Sequence, residues 1–177
     1  MALWALSLSL CSSAVVRASA GRPPTTESEV KAAYLYNFAK FIAWPDPSFA
    51  GPSAPIKICL LSDPSFEITL KEIIDARAID SHPVQVLRVV TAAEARTCHL
   101  LFVSSDQDKQ GRAVMEGLGA CCVVTVGETQ SFLERGGIIR FSVQQGRVQF
   151  QVNLHAATQA GVRISARLLS VATRVLQ

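Results

Sequence analysis

Short, almost entirely apolar segments alternate with amphipathic segments along the middle of the chain, and this alternation restricts the fold more than any other feature. Strands that are apolar on both sides must be covered on both faces of a sheet, and helical crossovers between them favour parallel pairing. The pattern predicts an α/β fold, a three-layer sandwich with a mostly parallel sheet and helices on both faces. We place strands at 56–61, 84–90, 99–103 and 121–126, and helices at 64–74, 91–96, 107–118 and 130–135.

The C-terminal part of the chain follows a different pattern. In residues 139–143 apolar side chains alternate with polar ones, and after Gln144-Gln145-Gly146 the alternation continues through residues 148–152. A period of two around a glycine turn predicts an antiparallel hairpin with one solvent-exposed face. Apolar residues within 164–176 then recur at helical spacing and predict a final amphipathic helix.

An aromatic helix is predicted near the N-terminus. Thr26 and Glu29 have the spacing of a capping box, and Pro45 ends the helix. Tyr36 and Lys40 lie four residues apart on a second face, so aromatic surface remains there for a protein partner. The stripe that we assign to the buried face comprises Val30, Ala33, Tyr34, Phe38 and Phe41.

Residues 1–20 have the pattern of a signal peptide. Residues 1–16 carry no charge, and Ala18-Ser19-Ala20 is a small-x-small cleavage box, although Lys and Arg are missing from the start of the leader. The alternatives are a retained anchor and lipid attachment at Cys11. Cleavage would leave residues 21–177 as a single domain, large enough to bury a core. The net charge of +3 and the absence of a Lys/Arg-rich run do not favour nucleic-acid binding.

The cysteines suit an oxidising compartment. Outside the leader there are four, which allow three complete pairings. A bond between the adjacent Cys121 and Cys122 would distort the peptide. Cys59–Cys98 is the best single pair, and it would close a loop of about 40 residues. The alternative is four buried thiols that pack as small apolar side chains, but export favours a bridge.

Motifs for catalysis are missing from the sequence. It contains neither a Walker A motif nor a G-x-S-x-G elbow, and its histidines lack zinc-binding spacing. His99 opens an apolar strand, and we interpret it as a hydrogen-bonded structural residue. Asp106 and Asp108 follow a strand, where α/β proteins often place site residues, but two isolated acids are usually solvated. We expect a protein that is not an enzyme, with no catalytic, cofactor or metal residues.

Residues 31–45, KAAYLYNFAKFIAWP, closely resemble the opening helix of the YfiR-like family of periplasmic proteins. Similar stretches follow in order, so that the resemblance covers essentially the whole chain after residue 20. It implies an α/β sandwich with a terminal antiparallel portion, and a regulator rather than an enzyme. The best-understood members bind the periplasmic part of an inner-membrane diguanylate cyclase and hold it inactive, which limits cyclic-di-GMP and biofilm formation. The similar stretches are 98–103, 136–141, 148–154 and 164–169.

The resemblance also implies location, partners and site residues. We expect a periplasmic homodimer that binds the periplasmic domain of a diguanylate cyclase, and an outer-membrane lipoprotein that can remove it. Cys59 and Cys98 fall where the first bridge of the family would be, whereas residues 123–177 lack the second cysteine pair of some members. The residues expected to contact the partner are Tyr36, Asn37, Lys40, Phe41, Trp44 and Pro45.

The alternative function is a periplasmic small-molecule-binding module without a cyclase partner. Doubly wound sheets bind ligands in the crevice at the carboxyl ends of their strands. A ligand of this kind would need no catalytic residues, so the composition and motifs are compatible with both functions.

Overall fold

A computed structural model describes residues 26–75, 77–119 and 121–177, and the predicted leader, residues 1–20, lies outside this part of the chain. Its helices are α1 (Glu27–Phe41), α2 (Pro64–Ile74), α3 (Ala92–Ala95), α4 (Asp108–Leu118), α5 (Leu154–Gln159) and α6 (Ala166–Leu169). Its strands are β1 (Ile42–Ala43), β2 (Ile56–Leu61), β3 (Ala78–Ile79), β4 (His82–Arg88), β5 (Leu100–Val103), β6 (Val124–Gly127), β7 (Ile139–Gln144), β8 (Arg147–Asn153), β9 (Arg163–Ile164) and β10 (Arg174–Leu176).

Eight of these strands form one sheet in the order β10-β8-β7-β6-β5-β2-β4-β3. Strands β4, β2, β5, β6 and β7 pair in parallel with their neighbours, and β8 returns antiparallel to β7. The mostly parallel sheet with a C-terminal hairpin is therefore confirmed. The order also places β2 between β5 and β4. The chain therefore adds β4 on one side of β2 and β5 and β6 on the other side.

The side chains of β2 divide between two hydrophobic cores, one on each face of the sheet. Ile58 and Leu60 belong to the core beneath α1 and α2, whereas Cys59 and Leu61 belong to the core beneath α3 and α4. Helices thus cover both faces, and the three-layer arrangement is confirmed. None of the helices in the described ranges is long and apolar enough to cross a membrane.

Helix α1 begins at the predicted capping box. The Glu29 backbone N–H donates to the Thr26 hydroxyl (3.2 Å), and the Thr26 N–H donates to the Glu29 carboxylate (2.8 Å). The predicted buried stripe was only partly right, because Tyr34 and Phe41 are half-buried at the rim of the interface. On the buried face two alanines lie beside two larger apolar side chains. The buried side chains of α1 are Ala32, Leu35, Phe38 and Ala39.

Aromatic rings fix α1 to the C-terminal hairpin. The Phe38 ring lies 5.0 Å from that of Phe150 and 5.6 Å from that of Phe141, and Tyr34 lies 5.3 Å from Phe150. Offset and edge-to-face pairs at such distances contribute about 0.5–1.5 kcal/mol each beyond the burial of apolar area. The first helix is thereby held against strands that lie more than one hundred residues later in the chain.

Two predicted helices are wrong. Residues 164–176 form the end of β9, helix α6 and strand β10, because β9 pairs with β1 and β10 pairs with the edge of β8. Residues 130–135 form turns that end at Gly136, whose φ of +85° suits glycine. Pairing with β1 and β8 divides the first segment, whereas local turn hydrogen bonds hold the second, such as that from the Arg135 N–H to the Ser131 carbonyl (3.1 Å).

The ring of Phe132 fills the space between two glycines. A β carbon at either Gly127 or Gly137 would lie 2.2 Å from atoms of this ring. Phe132 is 1% exposed and belongs to the core beneath α4. The loop from β6 to β7 therefore folds around one buried ring, and only glycine fits beside it.

The Cys59–Cys98 disulfide is present, with the two Cα atoms 6.0 Å apart. It joins β2 to the residues that precede β5, and both cysteines are buried. Cys121 and Cys122 are free and partly buried. They pack against the cores on opposite faces of the sheet, which explains why these neighbours do not bond to each other.

We expect Cys59→Ser to lower the free energy of unfolding by up to about 4 kcal/mol, because the bridge closes a long loop in the unfolded chain. Cys122→Ser serves as the control and should change stability by less than about 1 kcal/mol, since this thiol is partly exposed. Denaturant unfolding without reductant measures both. Equal midpoints for Cys59→Ser and wild type would contradict a structural bridge.

We expect Gly127→Ala to destabilise the fold by about 1–3 kcal/mol, since the added methyl group would overlap the Phe132 ring. Gly51→Ala is the matched control, because a β carbon there meets no atom within 4 Å. Thermal melts of the two variants give the comparison. If Gly127→Ala melts at the same temperature as the wild type, the Phe132 ring can move aside and the prediction is wrong.

Candidate partner-binding site

The end of α1 forms a continuous surface with the C-terminal elements. Ile42 and Ala43 of β1 pair antiparallel with β9, and the backbone N–H of Ser165 donates to the carbonyl of Phe41 (3.0 Å). Ser165 then begins α6, because its side chain accepts a hydrogen bond from the Leu168 N–H (3.3 Å). We call the resulting patch the α1–β9 surface; it comprises Lys40, Phe41, Ala43, Arg163 and Arg167.

Phe41 lies at the centre of the α1–β9 surface. Its ring is half-buried, and it has the Lys40 ammonium 5.7 Å and the Arg167 guanidinium 5.2 Å from its centroid. Lys40, Arg163 and Arg167 are exposed, and none of them forms an ion pair within the described residues. Aromatic and arginine side chains are the types that dominate binding energy in protein interfaces.

Of the other motif residues, Tyr36 faces strand β3. The Tyr36 hydroxyl donates to the carbonyl of Ala78 (3.4 Å), and the Arg77 guanidinium lies 5.6 Å from the Tyr36 ring. Asn37 follows on the helix and is half-buried. Tyr36 thus joins the middle of α1 to the edge of the sheet, and only its outer side is available to a partner.

Trp44 is buried beneath the α1–β9 surface. Its indole N–H donates to the backbone carbonyl of His99 (3.1 Å), and its ring stands perpendicular to the His99 ring at 5.6 Å. Pro45 follows and precedes the 3-10 turn Asp46–Ser48. Trp44 therefore positions the helix end against β5, and Lys40 and Phe41 present the accessible part of the motif.

Two histidines hold the loop that follows Pro45. The ring of Phe49 stacks between His99 at 4.7 Å and His82 at 4.5 Å, and the His82 Nδ1 atom lies 2.6 Å from the carbonyl of Ala54. His99 is 5% exposed, and its Nδ1 atom accepts a hydrogen bond from the Lys57 backbone N–H (3.0 Å). The interpretation of His99 as a hydrogen-bonded structural residue is confirmed.

Burial keeps His99 neutral. Desolvation lowers the pKa of its imidazole from the ordinary 6.5, and the nearby charges of Lys57 and His82 act in the same direction, against a backbone interaction at Ser48. Nδ1 accepts the hydrogen bond from the Lys57 N–H. A proton on Nδ1 would therefore leave two donors facing each other with no acceptor between them. The neutral ring is therefore part of the packed structure.

A cavity of about 450 Å³ opens between the α1–β9 surface and this histidine cluster. Its walls come from the end of α1, from β1 and β9, and from Phe49, Asp80 and His82. Pockets of this size accommodate a large side chain of a partner or a small ligand. The surface thus combines exposed cations with an adjacent indentation.

Asp106 and Asp108 are held by hydrogen bonds at the start of α4. Hydrogen bonds from Ser104 and Gln107 lower the pKa of Asp106. Desolvation acts to raise the pKa of Asp108, but the Thr129 hydrogen bond and the Arg135 charge bring it below its ordinary value. Both carboxylates are therefore ionised and bound to structural partners.

The other reactive groups show no catalytic arrangement. Burial raises the pKa of the Cys121 thiol, which disfavours the nucleophilic thiolate. No group of three or more metal-ligating side chains occurs in residues 26–75, 77–119 and 121–177.

The crevice at the carboxyl ends of β2, β4 and β5 holds only about 220 Å³ and is lined in part by Asp63, Arg88 and Asp106.

A family model described as YfiR/HmsC-like matches residues 28–173. The chain belongs to the YfiR/HmsC-like family. Members of this family are periplasmic regulators rather than enzymes, and the buried disulfide of this chain is consistent with that compartment. A comparison with curated proteins gives no match.

Solved structures support the fold of this YfiR/HmsC-like chain. A conserved domain protein from Vibrio cholerae O1 biovar El Tor superposes with a TM-score of 0.55 at 13% sequence identity, over 84% of this chain and 60% of the other. The ABC domain in complex with L-Trp from Streptococcus pneumoniae superposes with a TM-score of 0.51 at 11% sequence identity, again over 84% of this chain and 60% of the other. The chain thus spans well under two thirds of either protein, and at these identities the likeness concerns the fold alone.

The sequence alone does not predict all residues of the α1–β9 surface. Arg163 and Arg167 were assigned to no site, because the pairing of β1 with β9 joins segments that are 120 residues apart. His82 and Phe49 lie in segments with no periodic pattern. Of the residues on and around this surface, only the aromatic and basic residues of α1 could be recognised from their spacing along the sequence.

We expect the free energy of unfolding to fall as the pH drops below about 6.5. The unfolded chain binds a proton at His99 near this pH, whereas the folded chain resists it because its pKa is lowered. The stabilisation is therefore complete above pH 6.5 and is lost towards acidic pH. Urea unfolding at a series of pH values measures the slope.

His99→Gln should flatten this slope, while the variant His155→Gln, at an exposed position, should retain it. A direct NMR titration of the His99 ring provides a measurement that does not depend on any variant folding. A His99 imidazole that titrates at or above pH 6.5 in the folded protein would disprove the assignment.

Proposed function

We propose that this protein is a periplasmic repressor that binds the periplasmic domain of an inner-membrane diguanylate cyclase and thereby lowers cyclic-di-GMP and biofilm formation. The observation that carries the proposal is the match of residues 28–173 to the YfiR/HmsC-like family. The resemblance of residues 31–45 to the opening helix of that family adds the segment that builds the α1–β9 surface.

We assign the contact with the cyclase to the α1–β9 surface. The half-buried Phe41 ring is pre-positioned between Lys40 and Arg167, so it loses little conformational freedom on binding. The unpaired cations would pair with carboxylates of the partner, and the 450 Å³ cavity beside them would accept an apolar side chain. Charge steering and one aromatic anchor are together sufficient for a specific, reversible complex.

Repression follows from mass action. A repressor that binds only the inactive conformation of the cyclase shifts the population towards that conformation by its differential affinity for the two states. An outer-membrane lipoprotein that competes for the repressor would release the enzyme. The proposal includes a homodimer, because the resemblance to the family implies one.

The test combines binding with a cellular measurement. The double variant Lys40→Glu/Arg167→Glu should abolish capture of the cyclase periplasmic domain and raise cyclic-di-GMP to the level of a deletion strain. The control Lys109→Glu makes the same charge change once, on the exposed side of α4. Thermal melts establish that each variant is folded.

Two outcomes would contradict different parts of the proposal. Unchanged cyclic-di-GMP in the deletion strain would rule out cyclase repression. A deletion that raises cyclic-di-GMP, together with full repression by the folded double variant, would place the cyclase contact elsewhere on the molecule.

A small-molecule-binding module is the second candidate function. The observation in its favour is a cleft of about 620 Å³ between α4 and α5, within the 300–1,000 Å³ range of ligand pockets. The crevice at the strand ends, where doubly wound folds bind ligands, is smaller than that range. A melting-temperature screen against metabolites tests this function, and the absence of any shift would count against it.

A further inference from the structure

The C-terminal hairpin has two chemically different faces. Phe141, Phe150 and Val152 point into the core beneath α1. Arg140 and Gln151 alternate with them and point to the opposite face of the sheet. On that side the core beneath α3 and α4 includes residues of β2 and β5 but none of β7 or β8, and Leu176 of β10 packs against it. The side chains of β7 and β8 on this face are polar and lie outside that core, and Arg140 and Gln151 are half-buried.

Arginine and glutamine form a row across this face. Arg140 of β7 is paired in register with Gln151 of β8, which is paired in register with Arg174 of β10. An Arg140 guanidinium nitrogen lies 3.4 Å from the Gln151 side-chain oxygen. Since neighbouring strands are about 4.8 Å apart, the two arginines project about 10 Å from each other. Arg147 follows on the same face near the hairpin turn, and we call this set, with Ser142, the β8 face.

The charge of the β8 face is unbalanced. No Asp or Glu follows Glu134 in the sequence, whereas residues 135–177 contain six arginines. Arg135 forms an ion pair with Asp108, but Arg140, Arg147 and Arg174 have no ion-pair partner among the described residues. Arg147 and Arg174 are exposed. The cations are thus free to pair with an external anion.

Two buried polar atoms on this face also lack partners. The Arg140 Nε atom and the Ser142 hydroxyl oxygen have no solvent exposure and form no hydrogen bond in the described part of the chain. Such groups normally have partners, and an unpaired one costs about 1–3 kcal/mol. Because Nε is closed to solvent, an external carboxylate would meet the Arg140 guanidinium at its terminal nitrogens.

We infer that the β8 face is a docking surface for an acidic polypeptide segment. A second copy of this chain would bring like charges together, which disfavours pairing through this face. A lipid surface would favour apolar side chains among the arginines, but the exposed Val143 alternates onto the opposite face of the hairpin. The glutamines instead offer amide groups suited to a peptide backbone.

This inference goes beyond the proposed function, because it concerns the side of the sheet opposite α1 and does not depend on a cyclase. A partner on the β8 face and a partner on the α1–β9 surface would approach from different sides of the molecule. The protein could therefore join an acidic segment of one partner to a second protein.

The test measures binding of a fluorescent oligoglutamate peptide to the full chain by anisotropy at several salt concentrations. The double variant Arg140→Gln/Arg174→Gln should weaken binding about tenfold, because two charge-assisted contacts are lost. The control Lys71→Gln/Lys109→Gln removes the same charge from exposed positions on α2 and α4 and should change affinity less than about twofold. Thermal melts verify folding of both variants.

A second arm uses vesicles of phosphatidylglycerol and phosphatidylethanolamine. Selective loss of peptide binding in the arginine variant supports the inference. If the two double variants weaken peptide binding equally, the loss reflects only the lower net charge of the protein, and the inference is overturned. Binding to vesicles but not to the peptide would also overturn it and assign the face to an anionic membrane.

Discussion

The packing of α1 against the C-terminal hairpin is the interaction on which the rest of this structure depends. Phe38 packs against both Phe141 and Phe150, and this contact joins the first helix to strands at the far end of the chain. Because α1 is fixed there, β1 can pair with β9, and Arg167 comes to lie against the ring of Phe41. The α1–β9 surface is thus a product of the core and forms only when the two ends of the chain are folded together.

Local signals predicted most elements of the parallel half, although residues 130–135 form turns and not a helix. Helix α2 lies at the predicted residues because Asp63 accepts hydrogen bonds from the first turn and Pro64 suits the first helical position. The C-terminal part was harder to predict. Residues 164–176 carry apolar side chains at helical spacing, yet β9 and β10 gain hydrogen bonds from β1 and β8. No local pattern reports such distant partners, and for the same reason the sequence pointed to Lys40 and Phe41 but not to the arginines that β9 and α6 bring beside them.

The ionisable groups of the molecule divide into two classes. Asp106, Asp108 and His99 are held by neighbouring hydrogen-bond partners, and each is kept in one protonation state near neutral pH. The exposed arginines of the C-terminal region are not paired with acids, as described for Arg163 and Arg174. Groups of the first class stabilise the fold, and groups of the second class remain available for contacts with other molecules. This division suits a protein that acts by binding.

The placement of the free cations has a structural origin. In the parallel half, helices cover both faces of the sheet, and charged side chains find partners at helix ends, as Asp108 does with Arg135. The hairpin packs against α1 on one face, and on its other face the side chains of β7 and β8 are polar and only partly exposed. Glutamine alone would keep that face polar. The arginines at positions 140, 147 and 174 add positive charge that the fold itself does not use, and a requirement for binding accounts for them better than a requirement for stability does.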